Sequence, residues 1–113
     1  MTAIGVFVAT RWESAAVCQA FAASEMRVVG GIRCAVARQG QVEWWVIPMG
    51  VGPERATTTA GRVLGEQSFA AVWSTGFACA LGQAVIGEVL IGTHVTMEGG
   101  AEDGRSVPCA AAG

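Results

Sequence analysis

Three turns that follow apolar runs of strand length carry the residues best suited to chemistry in this sequence. They are residues 10–13 (TRWE), 50–52 (GVG) and 75–78 (TGFA). Ligands of open α/β sheets bind in the crevice outside the carboxyl ends of the strands. We therefore expect the three turns to meet at one edge of a sheet, where they would form a shared site.

Glu13 is the only carboxylate at the end of an apolar run, and it fits two roles. Thr10 and Glu13 have capping-box spacing, in which hydroxyl and carboxylate satisfy each other's unpaired backbone donors at a helix start. Glu13 could instead bind a hydroxyl or polarise a water. A helix N-terminus stabilises the carboxylate anion, which suits orienting a water better than donating a proton. Spacing alone favours the cap.

The other two turns offer backbone groups. Gly50, Val51 and Gly52 precede a helix start, where N–H groups and the helix dipole suit an anion. The turn lacks the GK[ST] of a P-loop and the third glycine of a Rossmann fingerprint, so a plain turn is the simpler interpretation. The small residues after Thr75 let backbone approach a ligand closely. The alternative is a tight turn plugged by Phe77.

The thiols and the single histidine are weaker candidates. Cys79 has no assignable histidine partner, and His94 has no neighbour that would complete a dyad. The four cysteines lack metal-ligand spacing, so we expect buried, reduced thiols and no metal site.

Apolar patterns predict the elements that position the turns. Helices are indicated over 11–24, after a cap at Thr10, and from Pro53 to a stop at Gly65. Strands are indicated over 4–9, 27–40, 41–49, 69–75 and 85–95, the second and third forming a hairpin. The nearly all-apolar 69–75 predicts a strand covered on both faces. The order indicates an α/β fold, with an irregular tail over 98–113.

Composition narrows the function classes. The chain has 113 residues, of which 52% are hydrophobic and 14% charged, which indicates one ordered domain. Soluble proteins average about 25% charged residues, so we expect some apolar surface to be covered by something else. A net charge of −2 with scattered arginines gives no nucleic-acid footprint. Neither a membrane span nor a signal peptide is indicated, so we expect a cytoplasmic protein.

Taken together, three segments resemble the nucleoside phosphorylase/nucleosidase superfamily. They are IGVFVATRWESAAV, MGVGPERA and STGFACALGQAVIGEVLIGTHV. The resemblance reaches about Val95 and is nearest to the methylthioadenosine/S-adenosylhomocysteine nucleosidases and the hopanoid-associated phosphorylases. It implies a three-layer αβα sandwich with a mixed sheet, here incomplete, as an N-terminal half over residues 1–97. It also implies cleavage of the N-glycosidic bond of a purine nucleoside without a cofactor, with water or phosphate as nucleophile, in a possible homo-oligomer.

The resemblance assigns roles by position. Glu13 matches the glutamate that orients the attacking water, and Thr10 matches a first-loop position lining the site. The loop that approaches the ribose and its 5′ substituent matches Gly50, Val51 and Gly52. The loop around the nucleophile and ribose matches Thr75, Gly76, Phe77 and Ala78.

Several family features are replaced or missing. Phe77 stands in place of a frequent serine, Cys79 and Ala80 in place of a glycine pair, and Glu88 in place of an aspartate. The family's ribose-binding Met-Glu pair, aromatic base wall and acidic aspartate belong to the half that is missing, and Asp103 is not a candidate for that acid.

We therefore expect weak or no activity from this chain. The alternative is a non-catalytic nucleoside-binding or assembly module that completes its sheet with a partner chain. An unrelated flavodoxin-like or Rossmann-like domain, binding a nucleotide cofactor through Gly50–Gly52, is a third possibility.

Overall fold

A five-stranded mixed sheet organises the first of the two units into which the chain divides. The computed structural model describes residues 1–79, 81–96 and 106–109, and the units are Met1–Ala78 and Cys79–Gly113. The strands of the first unit are β1 (Thr2–Val8), β2 (Glu25–Val29), β3 (Ile32–Gln39), β4 (Val42–Pro48) and β5 (Ala71–Ser74). Their order across the sheet is β2-β3-β4-β1-β5.

Strand direction changes across this sheet because two kinds of connection join the strands. β2, β3 and β4 are antiparallel neighbours, linked by the two-residue turns 30–31 and 40–41. Gly30, Gly31 and Gly40 have φ of 58°, 78° and 62°, which residues with a side chain rarely adopt. β1 runs parallel to both β4 and β5. The carboxyl ends of β4, β1 and β5 therefore lie at one edge of the sheet.

Each of the two helices begins shortly after a strand of this parallel group. The first, α1 (Arg11–Phe21), has the predicted capping box, with Thr10 as N-cap. It ends at Ala22, whose φ of 55° turns the chain out of the helix. The second, α2 (Pro53–Glu66), has proline in its first turn and Gly52 as an N-cap without a side-chain hydrogen bond. Both predicted helix starts are confirmed.

The helices pack on opposite faces of the sheet and give the unit three layers. α1 packs on one apolar cluster, whose members are Val6, Val8, Val46, Val17, Cys18, Phe21, Ala35 and Trp44. α2 contributes Val63 and Ala60 to the other, with Phe7, Cys34, Val36, Trp45 and Ile47. Val63 is completely buried, and burial of such a side chain stabilises the fold by about 1.5–3 kcal/mol. The α/β class with a mixed sheet between helices is confirmed.

β5 differs from its predicted environment. All four of its residues are exposed, with Val72 at 54% and Trp73 at 46% exposure. Within the described residues β5 pairs only with β1. The two helices of this unit lie mainly over the half of the sheet away from β5, α1 over β3 and β4 on one face and α2 over β2 and β3 on the other. The prediction of a strand covered on both faces is therefore wrong.

Three further element predictions need correction. Residues 27–40 form two strands, because Gly30 and Gly31 together make a two-residue hairpin turn. α2 continues past Gly65 to Glu66, since that glycine has no positive φ and nothing crowds it. Of the predicted strand over 85–95, only its end is extended, in the strand His94–Thr96.

The second unit holds a small antiparallel sheet of its own. Its strands are β6 (His94–Thr96) and β7 (Ser106–Pro108), paired so that Val95 lies opposite Val107. The sequence predicted a boundary at 97/98 and an irregular tail. Both strands belong to the unit that begins at Cys79, and the boundary at 97/98 stays a prediction. Of the predicted tail, residues 98–105 and 110–113 lie outside the described residues.

Candidate active site

The turns after β1 and β5 meet at the carboxyl edge of the sheet. The N–H of Met49, after β4, donates to the carbonyl of Val8 at 2.8 Å, and the N–H of Thr75 donates to the carbonyl of Phe7 at 3.1 Å. These two bonds extend the parallel ladders to the ends of the strands. The residues that follow each strand thus start from neighbouring points along one edge.

Glu13 is held by both its own helix start and the turn after β5. Glu13 is only 8% exposed. Oε1 accepts the N–H of Thr10 at 2.9 Å and the hydroxyl of Thr10 at 3.0 Å. Oε2 accepts the N–H of Phe77 at 2.7 Å, across 64 positions of sequence. One carboxylate therefore joins two strand-end turns.

These hydrogen bonds decide the charge of Glu13. The N–H of Phe77, then the hydroxyl and N–H of Thr10, lower the pKa of the Glu13 carboxyl below its ordinary value of 4.5, against the opposing effect of burial. The group is therefore an anion at neutral pH. It can accept a proton-bearing ligand atom or a water, and it is a poor proton donor.

Gly76 makes room for this carboxylate. A Cβ at position 76 would lie 2.9 Å from Cδ of Glu13 and would overlap Oε2. The glycine is needed here for a steric reason, since its φ is not positive. Sequence reasoning placed Gly76 in the site because of its small size, but the identity of the group it accommodates required the structure.

The Gly50–Gly52 turn lies at the same edge of the sheet, but it is more exposed than Glu13 and makes fewer hydrogen bonds. Gly50 and Gly52 have φ of 77° and 100°, and Val51 is 66% exposed. Among the described residues, no hydrogen bond joins this turn to Glu13 or to Phe77. A shallow groove runs beside it, lined in part by Arg55 and Thr59 of α2. Of the three turns predicted to meet, those after β1 and β5 are joined by a hydrogen bond. The turn after β4 lies at the same edge of the sheet without such a bond.

Thr75 also borders an apolar groove that sequence reasoning missed. The groove has a volume of about 380 Å³ and is lined by Val6, Val17, Phe21, Trp44, Trp73 and Thr75, among others. Phe21 and Trp44 stack in it with ring centroids 4.7 Å apart. Trp73, in β5, and Thr75, directly after it, are two positions apart, and this spacing was the available signal. Phe77 is 76% exposed, so its ring does not fill the turn. Ala78 is the last residue of the first unit.

Neither a thiol nor the histidine is among the groups that hold Glu13. All four cysteines are free, and burial raises the pKa of the Cys34 thiol to about 11. Cys79 is exposed, so the prediction that the thiols are buried is wrong for it. His94 belongs to the second unit and contacts Thr93. Within the described residues, no group of three metal-ligating side chains is found, and no helix is long and apolar enough to cross a membrane.

Comparison with known proteins supports the fold and leaves the family open. No family model matches the sequence, and no curated protein matches it. A solved structure is similar in fold to this chain. It is a mutant of Helicobacter pylori MTAN with 5′-methylthioadenosine in its active site, similar with a TM-score of 0.51 and 22% identity. The match covers 67% of this chain and 33% of that chain, so this chain spans about a third of that structure.

Proposed function

We propose that this chain provides part of a site that cleaves the N-glycosidic bond of a purine nucleoside, with Glu13 orienting the attacking water. The observation that carries the proposal is the ionised Glu13 carboxylate, fixed where two strand-end turns meet. The similar solved structure has 5′-methylthioadenosine in its active site, which supports a nucleoside as the ligand. The proposed reaction needs no cofactor.

The carboxylate has capacity left for one further donor. A carboxylate oxygen accepts about two hydrogen bonds. Oε1 already accepts two, from Thr10, whereas Oε2 accepts one, from Phe77. Oε2 is therefore the oxygen available to a water, which it would orient and deprotonate as the water attacks the sugar carbon. Phe77, in place of a serine, favours water over phosphate, which is the alternative co-substrate.

The remaining turns would hold the nucleoside. We assign the ribose side to the backbone of Thr75, Gly76, Phe77 and Ala78, and the 5′ substituent to Gly50, Val51 and Gly52. No acid for the departing base has been assigned among the described residues, and the sequence's one aspartate, Asp103, lies outside them. General acid catalysis contributes about 10²–10⁴-fold. We therefore expect slow turnover from this chain.

Base release and binding test the proposal together. The purified chain is incubated with methylthioadenosine, adenosine and inosine, with and without phosphate, and compared with the Glu13→Gln variant. Glu88→Gln is the matched control, because Glu88 is an exposed carboxylate of the second unit that accepts the N–H of Val85. We expect slow base release that Glu13→Gln removes and Glu88→Gln retains.

A second readout covers turnover too slow to measure. Titration with 5′-methylthioadenosine should shift the amide NMR signals of Thr10, Val51 and Phe77. Saturable shifts at these positions support the site. If neither shifts nor Glu13-dependent release occurs, and light scattering finds a discrete dimer, the alternative of a non-catalytic assembly module replaces the proposal.

A further inference from the structure

The hydroxyl of Thr10 acts on the carboxylate of Glu13 beyond what a helix cap requires. A capping box consists of two bonds, here from the N–H of Glu13 to Thr10 Oγ1 at 3.2 Å and from the N–H of Thr10 to Glu13 Oε1 at 2.9 Å. A third bond runs from Thr10 Oγ1 to the same Oε1 at 3.0 Å. This bond joins two side chains and satisfies none of the unpaired backbone N–H groups at the start of the helix. It fixes the plane of the carboxylate and fills the capacity of Oε1.

Gly76 acts on the other oxygen. The peptide between Gly76 and Phe77 points its N–H at Oε2, and the carboxylate occupies the space that a side chain at position 76 would fill. Any larger residue at 76 must push the Glu13 side chain or the turn away. The missing side chain at 76 thus permits the one contact that ties Glu13 to the turn after β5.

From these contacts we infer that Thr10 and Gly76 are positioning residues that aim Oε2 of Glu13 at the nucleophile. The inference rests on the proposed function and gives Thr10 a different role from the ligand contact that the resemblance implied. Thr10 fills Oε1, and Gly76 admits the Phe77 N–H to Oε2. Together they leave one defined direction on Oε2 for a water. Orientation of this kind is sensitive, since a misplacement of about 1 Å can reduce a rate about 10²-fold.

Thr10 can be tested without losing the helix. Glycine is tolerated at an N-cap nearly as well as threonine, so Thr10→Gly removes the hydroxyl while α1 stays capped by backbone and solvent. Thr10→Ser keeps the hydroxyl and is the rescue variant. For Gly76→Ala the matched control is Gly61→Ala, because Gly61 lies in α2 with no atom within 4 Å of the added Cβ.

The primary readout is the pKa of Glu13, followed by NMR of its side-chain carboxyl carbon. We expect this pKa to rise in Thr10→Gly and in Gly76→Ala, and to stay at the wild-type value in Thr10→Ser and Gly61→Ala. Exchange of the Phe77 amide hydrogen should accelerate about tenfold in Gly76→Ala, as expected for loss of a hydrogen bond to a charged acceptor. In base release, kcat should fall by up to about 10²-fold with little change in KM.

The outcomes separate this inference from the proposed function. An unchanged Glu13 pKa in both Thr10→Gly and Gly76→Ala overturns the positioning roles. A raised pKa in Thr10→Gly that Thr10→Ser restores supports them, even where Gly76→Ala does not fold. Absence of base release and of nucleoside binding in the wild-type chain, with these pKa changes intact, counts against the proposed function alone.

Discussion

The turns before α1 and α2 start from neighbouring strand ends but have different connections. The turn before α1 has a side-chain cap, and its Glu13 is bonded to a residue 64 positions away. The turn before α2 has no side-chain cap, and Val51 projects into solvent. Both helices carry a glutamate in their first turn, Glu13 and Glu54. A first-turn carboxylate therefore acquires a candidate role only where a second strand end meets it.

The largest expected contrast is between those two glutamates. Glu13→Gln should reduce base release by about 10²-fold or more, because the amide cannot act as the base. Glu54→Gln should stay within a few-fold of wild type. The measurement is the rate of adenine release from methylthioadenosine at neutral pH. Equal losses in both variants would break the comparison between the turns.

The next contrast is between Gly76, which leaves space for Glu13, and Gly52, which has a positive φ. Gly52 has a φ of 100° and open space around its Cβ position, so Gly52→Ala adds backbone strain of about 1–3 kcal/mol. Urea unfolding should register this loss. The pKa of Glu13 should stay at its wild-type value, since no hydrogen bond among the described residues links the two turns. A shifted Glu13 pKa in Gly52→Ala would show that the turns are coupled.

Acidification should reduce the stability that the fold gains from Glu13. The pKa of Glu13 is lowered in the folded state, so its contribution to stability is full above about pH 4.5 and is lost as the pH falls through the lowered value. Glu43 contributes in the same direction. Burial opposes its charge, but hydrogen bonds from Arg38 and Trp45 and the charges of Arg27 and Arg38 lower the pKa of its carboxyl overall.

Thermal unfolding of the wild-type chain and of Glu13→Gln, followed between about pH 3 and pH 6, separates the two glutamates. The midpoint should fall on acidification in both proteins and fall less steeply in the variant, which retains only the Glu43 component. Identical slopes would mean that Glu13 gains no net stabilisation from Thr10 and Phe77.

The smallest change in stability is expected at Val51, in the turn before α2. Val51 is mostly exposed, and exposed substitutions usually change the free energy of unfolding by less than about 0.5 kcal/mol. Val51→Ala should therefore unfold at nearly the wild-type urea concentration. A loss well above 1 kcal/mol would indicate packing of this turn that its exposure does not suggest.

Local signals predicted the elements well where a few adjacent residues decide the structure. Thr10 with Glu13 specified a capping box, Pro53 specified the start of α2, and Gly40 marked a hairpin turn. Gly30 and Gly31 carry an equally local signal, and they form the turn between β2 and β3. These features depend on φ preferences and short-range hydrogen bonds, which the sequence carries directly.

The environment of β5 could not be predicted in the same way. An apolar run predicts a buried strand, but burial depends on which elements pack against it. Trp73 is partly exposed because α1 lies over β3 and β4. In 85–95 the apolar residues likewise did not make a strand except near His94, because strand formation requires a partner at a matching register.

The amino-acid sequence by itself determined the α/β class, the starts of both helices and the presence of a carboxylate beside small-residue turns. Only the tertiary structure decided that Oε2 of Glu13 meets the N–H of Phe77 and that Gly76 leaves the space for it. The physical reason is range. Caps and turns are fixed by residues within a few positions, whereas this contact requires β1 and β5 to pair in parallel register before the two strand ends can meet.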